Sequence, residues 1–256
     1  MSEPVRAVDR ALDILLCFSR QTPRLTMTQI SDQVGMNKST VHRLLGTMEK
    51  KHFLQRDPST GSYQLGIRLF QMAYLTLEHN GLRQLAAPLL QRLCEQQRET
   101  ITLSVLDDSD VVFLDVVESP QRVKLAASTG QRLPAFATAA GKSMLAYLPE
   151  QTVKKLLERG MQQFTSRTIL APEILFENLA QYRKQGFALS EQEYEEEINA
   201  VAAPILDAHG QPIAAITVTG PAYRLLRERM HEIGPIIVAT AREIAQAFEM
   251  EAVAKY

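Results

Sequence analysis

The stretch from Thr26 to Leu45 constrains the chain more than any other, because its punctuation leaves room only for two short helices meeting at a tight turn. Thr26 followed by Gln29 has capping-box spacing, and Met27, Ile30 and Val34 supply the apolar stripe of a short helix. Gly35 stands where a helix C-cap glycine would end it. Asn37 can then cap a second helix in which Val41, Leu44, Leu45 and Met48 fall at i, i+3, i+4 and i+7. That spacing turns Ser39, His42, Arg43, Gly46 and Lys50 to the opposite, outward face. Ahead of the pair, Val5, Val8, Leu12 and Leu15 recur along one face of a further helix. Behind it, Phe53–Arg56 and Ser62–Leu65 read as two short strands joined by the turn-rich Asp57–Gly61. Three helices with a hairpin directly after them make a winged helix-turn-helix.

The outward face of the second helix has the chemistry of nucleic-acid recognition. Arg43 can reach guanine O6 and N7 or a phosphate, while Ser39, Thr40 and His42 offer short hydrogen bonds to base edges or backbone. Asn37 and Lys38 lie at the helix start, where free N–H groups favour phosphate. Thr26, at the start of the first helix, and Arg56, beside the loop of the hairpin, join them as candidate DNA contacts. A surface helix with solvated charges would present the same Arg43 and Lys50, and the wing decides against that alternative. Charge agrees: residues 1–80 hold ten Lys/Arg and seven Asp/Glu, against eighteen and twenty-two in residues 81–256, so a basic head sits on an acidic body.

The rest of the chain reads as a second domain, and 256 residues suit two. Phe70, Ala73, Tyr74 and Leu77 form an apolar face ahead of Asn80-Gly81, and Leu82, Leu85, Ala86, Leu89, Leu90 and Leu93 follow at helical spacing. Such a stripe is either core or, in a linker, a dimer contact. Strands are expected at Thr100–Leu106, Val111–Val117 and Val123–Ala127, then helices near Ala139–Leu148, Pro149–Glu158 and Pro172–Gln185. Strands return at Phe187–Leu189, Ala200–Leu206 and Pro212–Thr219, before a long helix from about Leu225 to Phe248. This mixed order is α+β. Ala137–Gly141 would aim backbone N–H groups at an anion from the start of the helix containing Lys142.

Several function classes are disfavoured. The five histidines are scattered, neither His-x-x-x-His nor Cys-x-x-Cys spacing offers a metal site, and nucleophile-elbow, P-loop and dinucleotide fingerprints are missing. Catalysis, metal and cofactor are therefore not expected, and the acidic run Glu191–Glu197 reads as a solvated face. With two cysteines, Cys17 and Cys94, a start without a signal peptide's apolar core, and no run long enough to cross a membrane, the cytoplasm is the expected compartment.

Thr26–Leu45 closely resembles the helix-turn-helix of IclR-type bacterial regulators, and Arg56–Gly66 is similar to their wing. Gly141–Ala146, Val201–Pro204 and Ala215–Pro221 look like landmark motifs of that family's effector domain. The resemblance runs through nearly the whole chain. It implies a one-component regulator that binds operator DNA as a homodimer or dimer of dimers and responds to a small organic acid or aromatic compound, controlling catabolic or stress genes. It further implies a DNA-binding domain over 1–66, a linker helix over 67–80, and over 81–251 a GAF-like effector-binding domain with a curved mixed sheet. Effector contacts, by resemblance, fall on Thr138, Ala139, Ala140, Ser190, Ala200, Thr217 and Thr219; the two threonines lie two apart in a strand and so share a face. Where the family often carries a carboxylate this chain has Ser190, and where a polar pair often precedes Val-Ala-Ala it has Asn199-Ala200. Glu191 is adjacent, but a less polar pocket argues against a very small keto acid and leaves room for something larger or more apolar. Two alternatives stand beside this reading: a ligand-independent architectural DNA-binding protein, and an enzyme with a DNA-binding head.

Overall fold

A computed structural model describes residues 5–19, 21–78, 81–158 and 160–254, with side chains left aside at 73–78 and 251–254. The chain divides into two compact units, Met1–His79 and Asn80–Tyr256.

In the first unit, α1 (Arg6–Leu16), α2 (Met27–Val34) and α3 (Lys38–Lys50) precede the hairpin of β1 (Leu54–Arg56) and β2 (Tyr63–Leu65), and α4 (Ile67–Glu78) closes it. The helix ends form for local reasons. Thr26 and Gln29 complete a reciprocal capping box on α2, Gly35 ends α2 at φ +63°, and Asn37 Oδ1 accepts the Thr40 N–H at 2.9 Å to start α3. Leu25 bridges to Tyr63, so the chain between α1 and α2 pairs with the hairpin. Ile14, Ile30, Val41, Leu45, Met48, Leu54 and Tyr63 form one core. On α1 the observed core face is not the expected one. Ile14, with Ala11 and Leu15 beside it, packs inward, whereas Val5, Val8, Leu12 and Leu16 are 68%, 56%, 54% and 81% exposed. At 100° per residue these four fall within one arc roughly opposite Ile14, so α1 is apolar on two sides.

In the second unit, α5 (Gly81–Gln97) leads into β3 (Thr100–Asp107), β4 (Asp110–Val117) and β5 (Arg132–Pro134). Then come α6 (Ala139–Leu145), α7 (Glu150–Leu157), α8 (Pro172–Gln185), β6 (Ala188–Glu191), β7 (Ile198–Leu206), β8 (Pro212–Pro221) and α9 (Arg227–Ala254). The six strands run in the order β5-β4-β3-β8-β7-β6. Every pairing is antiparallel, so the sheet is not mixed as expected. The physical reason is connectivity. The helical excursion α6–α8 joins β5 to β6 at opposite edges, so no helix crosses over between neighbouring strands, which is the link a parallel pair requires.

One face of the sheet packs against α5 and α9. Leu82, Ala86, Leu90 and Leu93 of α5 are buried there with Ile101, Val218, Ile233 and Ile237, so these four residues of the stripe are core. Ala73, Tyr74 and Leu77 lie outside the residues whose side chains are described. The other face packs against α6 and α8 through Val111, Phe113, Met144, Leu145, Leu175 and Leu179. Val123–Ala127 is not a strand. Its place beside β4 is taken by β5, with Val111 opposite Leu133, after a turn at Gly130 (φ +82°). Released from the ladder, Leu125 and Ala126 instead reach the wall of a cavity.

Candidate DNA-reading surface and ligand cavity

Ser39, His42 and Arg43 project from the exposed side of α3, while Val41 and Leu45 anchor the helix in the core. The N-terminus of α3 is held by its own side chains: the Ser39 hydroxyl donates to Asn37 Oδ1 at 2.9 Å, the oxygen that also receives the Thr40 N–H. Lys38 is exposed beside them. Thr40, His42 and Arg43 line an open groove with Leu44, Gly46, Thr47, Lys50 and Lys51, and α1 contributes Arg6, Ala7 and Arg10 to its other side. Five cationic side chains therefore border one surface. Thr26 and Arg56 are not among the residues of that groove. Thr26 is engaged in the capping box of α2, and the Arg56 guanidinium lies 5.8 Å from the centre of the Tyr63 ring, on the wing. The wing loop is ordered by Asp57, which accepts hydrogen bonds from the Ser59 amide at 2.9 Å and hydroxyl at 2.6 Å; these bonds lower its carboxyl to about 2. Arg6 and Arg10 were missed in the sequence because α1 was read only for its apolar stripe; their spacing of four on one helix was the available signal.

In the second unit a cavity of about 80 Å³ opens between the sheet and α6. All seven positions named from the sequence line it: Thr138, Ala139, Ala140, Ser190, Ala200, Thr217 and Thr219. Register explains the convergence. Thr217 pairs with Thr102 on β3 and with Ala202 on β7, and Thr219 pairs with Ala200, itself opposite Ser190. Directly paired residues share a face, so Ser190, Ala200 and Thr219 form one row of the cavity floor, and Thr102 and Thr217 belong to the next. Thr102, Ser190, Thr217 and Thr219 are all buried. Ser190 Oγ donates to the Ala137 carbonyl at 3.3 Å, whereas Thr217 Oγ1 is buried and has no hydrogen-bond partner among the described residues. Apolar walls come from Val111, Phe113, Leu125, Leu133 and Ile198, none of which was named in the sequence as a site residue.

Two devices hold the walls. Thr138 Oγ1 accepts the Gly141 N–H at 3.2 Å and starts α6, and a Cβ on Gly141 would overlap the Ala135 carbonyl, so only glycine lets α6 pack this closely. One turn on, Lys142 is fully buried and pairs with Glu193, which breaks the expectation of a solvated acidic run at its third residue. Burial pushes the Lys142 ammonium down and the Glu193 carboxyl up, each opposed by the attraction between them. Tyr182, whose ring lies 5.6 Å from Lys142 Nζ, is pushed up to about 12, by burial first and then by the Glu193 charge. The Thr165 and Thr168 hydroxyls donate to the Gln192 and Glu193 carbonyls at 2.6 and 2.7 Å, fixing the loop that carries Tyr194 and Glu195 to the cavity. Glu195, Glu196 and Glu197 are exposed, as a solvated run requires. Asn199 is turned away from the cavity lining and donates to the Leu225 carbonyl at 2.9 Å. Among the described residues, no group of three or more His, Cys, Asp and Glu side chains is placed to hold a metal, and no helix is long and apolar enough to cross a membrane.

Comparison with known proteins bears on both units. A family profile described as "IclR helix-turn-helix domain" matches residues 7–58, and one described as "Bacterial transcriptional regulator IclR C-terminal" matches residues 74–246. The chain is 33% identical over 247 residues to the transcriptional repressor IclR of Escherichia coli (strain K12), covering 95% of this chain and 90% of that protein. It is 34% identical over 242 residues to the HTH-type transcriptional regulator BhcR of Paracoccus denitrificans (strain Pd 1222), covering 94% and 86%. Among solved structures, an IclR transcriptional regulator from Alicyclobacillus acidocaldarius superposes with a TM-score of 0.84 at 26% identity, over 95% of this chain and 99% of that one. An IclR homolog from Microbacterium hydrocarbonoxydans, complexed with 4-hydroxybenzoate, superposes with a TM-score of 0.83 at 26% identity, over 94% and 98%.

Proposed function

The chain belongs to the IclR family of bacterial transcription regulators, which makes it a DNA-binding protein under the control of a small-molecule effector, and from that premise we propose how its residues divide the work. A cytoplasmic homodimer binds an operator, each α3 entering a major groove. Arg43, with Ser39, Thr40 and His42, reads base edges. Asn37, Lys38 and Thr26 meet phosphates at helix starts, and Arg56 meets the backbone from the wing. The effector occupies the cavity over β8 and β3, in contact with Thr138, Ala139, Ala140, Ser190, Ala200, Thr217 and Thr219, and the stretch 67–80 transmits its effect between residues 1–66 and 81–251. The observation that carries the ligand half is the unpartnered Thr217 hydroxyl on the floor of a cavity walled largely by apolar side chains. The 4-hydroxybenzoate held by the Microbacterium relative supports a small organic effector. The effector works by binding the two arrangements of the DNA-binding heads unequally, and that difference is the whole of its regulatory force.

A gel-shift titration on the chain's own upstream DNA, at fixed salt, tests the division. Arg43→Ala should weaken specific binding by about 1–3 kcal/mol and relax sequence preference; unchanged operator affinity removes Arg43 from base reading. Thr217→Phe should fill the cavity and abolish the response to effector while operator binding persists. Loss of both together would mean that the substitution damaged the fold and that the cavity assignment lacks support.

A further inference from the structure

We propose that the open groove between α1 and α3 seats one sugar-phosphate strand of the operator, with Arg6 and Arg10 against its phosphates and Gly46 as the point of closest approach. The inference rests on α3 being the recognition helix, and it adds contacts beyond those of Ser39, Thr40, His42 and Arg43.

Charge is the first observation. Arg6, Arg10, Arg43, Lys50 and Lys51 border the groove, and no aspartate or glutamate lines it. None of the five takes part in an ion pair among the described residues, although Asp9 and Asp13 lie on the same helix as the two arginines. Unmatched cations on one surface repel one another, and a polyanion relieves that repulsion. Position is the second observation. The N-terminal residues of a recognition helix reach base edges, and this groove runs on along the rest of α3, past Gly46 and Thr47 to Lys50 and Lys51. It is therefore continuous with the surface that reads DNA and takes the strand flanking the same major groove.

Gly46 is the third. It stands in the interior of α3, where glycine is a poorer helix former than alanine. Nothing within the described chain requires it: its φ is not in the left-handed region, it is exposed, and a Cβ added there would meet no atom within 4 Å. Gly66 differs, because a Cβ there would overlap the His52 carbonyl, so the fold itself accounts for that glycine. His42 and Arg43 stand one turn before Gly46 and Lys50 one turn after it, so the missing side chain leaves a notch in the middle of a polar, cationic row. The Thr47 hydroxyl is turned back onto the Arg43 carbonyl at 2.9 Å, which keeps the neighbouring floor low. Close approach of an outside body to the helix backbone is the use of glycine that fits this place.

Gly46→Ala separates this role from a structural one, because the two expected effects oppose each other. In the full-length chain, amide hydrogen exchange along α3 should slow severalfold, since alanine favours the helix. Affinity for the chain's own upstream DNA should nevertheless fall about tenfold. Arg6→Gln and Arg10→Gln should each weaken operator and unrelated DNA alike, and should flatten the dependence of log affinity on log salt by about 0.9 per protomer bound. Operator affinity unchanged or raised by Gly46→Ala overturns the proposal. Faster exchange together with weaker binding assigns Gly46 to the fold and overturns it as well. So does a parental salt slope in either arginine variant, the result that an acidic protein segment in the groove would give. Arg43→Ala is measured in the same series. Normal operator affinity in that variant brings down the recognition-helix reading itself, whereas loss there with parental behaviour in the other three brings down the groove alone.

Discussion

Lys142 and Glu193 form the most consequential side-chain pair of the second unit, since both are buried and each opposes the other's loss of charge. Removing one partner strands the other, at a cost of about 3–5 kcal/mol. Lys142→Met should accordingly lower the urea-unfolding free energy at neutral pH by that order. The sign with pH then follows from Glu193, whose carboxyl burial already raises above the ordinary 4.5. Without Lys142 it rises further, so the stability of the folded form is fully present below 4.5 and is lost as pH climbs through the raised value. The variant should therefore recover part of its deficit relative to the parent as the solution is acidified towards pH 4.5, and a deficit independent of pH would count against the pairing. This pair was invisible in the sequence, because five glutamates in seven residues look solvated and nothing local marks the third as buried. The caps were legible for the opposite reason. Thr26 with Gln29, and Asn37 with Thr40, settle their hydrogen bonds within three residues of sequence.

Segment 121–128 shows how an element is held without regular structure. Arg224 donates to both oxygens of buried Glu99, at 2.6 and 2.7 Å, and to the Val123 carbonyl at 3.0 Å. Arg229 adds a bond to Glu99 at 3.2 Å and another to the Gln97 carbonyl at 2.7 Å. One carboxylate thereby ties the end of α5, the start of α9 and the stretch that brings Leu125 and Ala126 to the cavity. Arg224→Met should cost about 3 kcal/mol in denaturant unfolding. Limited proteolysis should also cut faster within 121–128, and normal resistance there would separate Arg224 from the control of that wall. The strand expected at Val123–Ala127 failed here for an identifiable cause. Its apolar alternation is real, but β4 has one free edge in this region, and Arg132–Pro134 occupies it after the Gly130 turn. Ions 125 residues apart in sequence leave no local pattern to read.

For the molecule as a whole, the exposed apolar row of Val5, Val8, Leu12 and Leu16 is the surface on which the proposed homodimer can be tested. A contiguous apolar stripe opposite the core face of α1 is costly in water, and pairing of two such stripes by a symmetric dimer would cover it. Leu12→Glu with Leu16→Glu should leave the folded core intact while shifting sedimentation from dimer towards monomer and weakening operator binding. An unchanged sedimentation profile moves the dimer contact elsewhere. The two-domain organisation, the winged helix-turn-helix and the α+β character were legible because each rests on short-range periodicity and turn chemistry. The face of α1 that enters the core was not, since α1 alone carries two apolar faces and only tertiary packing chooses between them. The threonine floor has an implication for how such regulators diversify. Its rows are made of the small side chains Thr, Ser and Ala, while the fold is secured elsewhere by the Glu99 clamp, the Lys142–Glu193 pair and the two apolar cores. With the effector seated on that floor as proposed, exchanging one floor hydroxyl for a methyl would alter which molecule is bound while leaving those supports in place. On that proposal, single-step substitutions would move the protein from one chemical signal to another while the supports of the fold and the DNA-binding unit stay as they are.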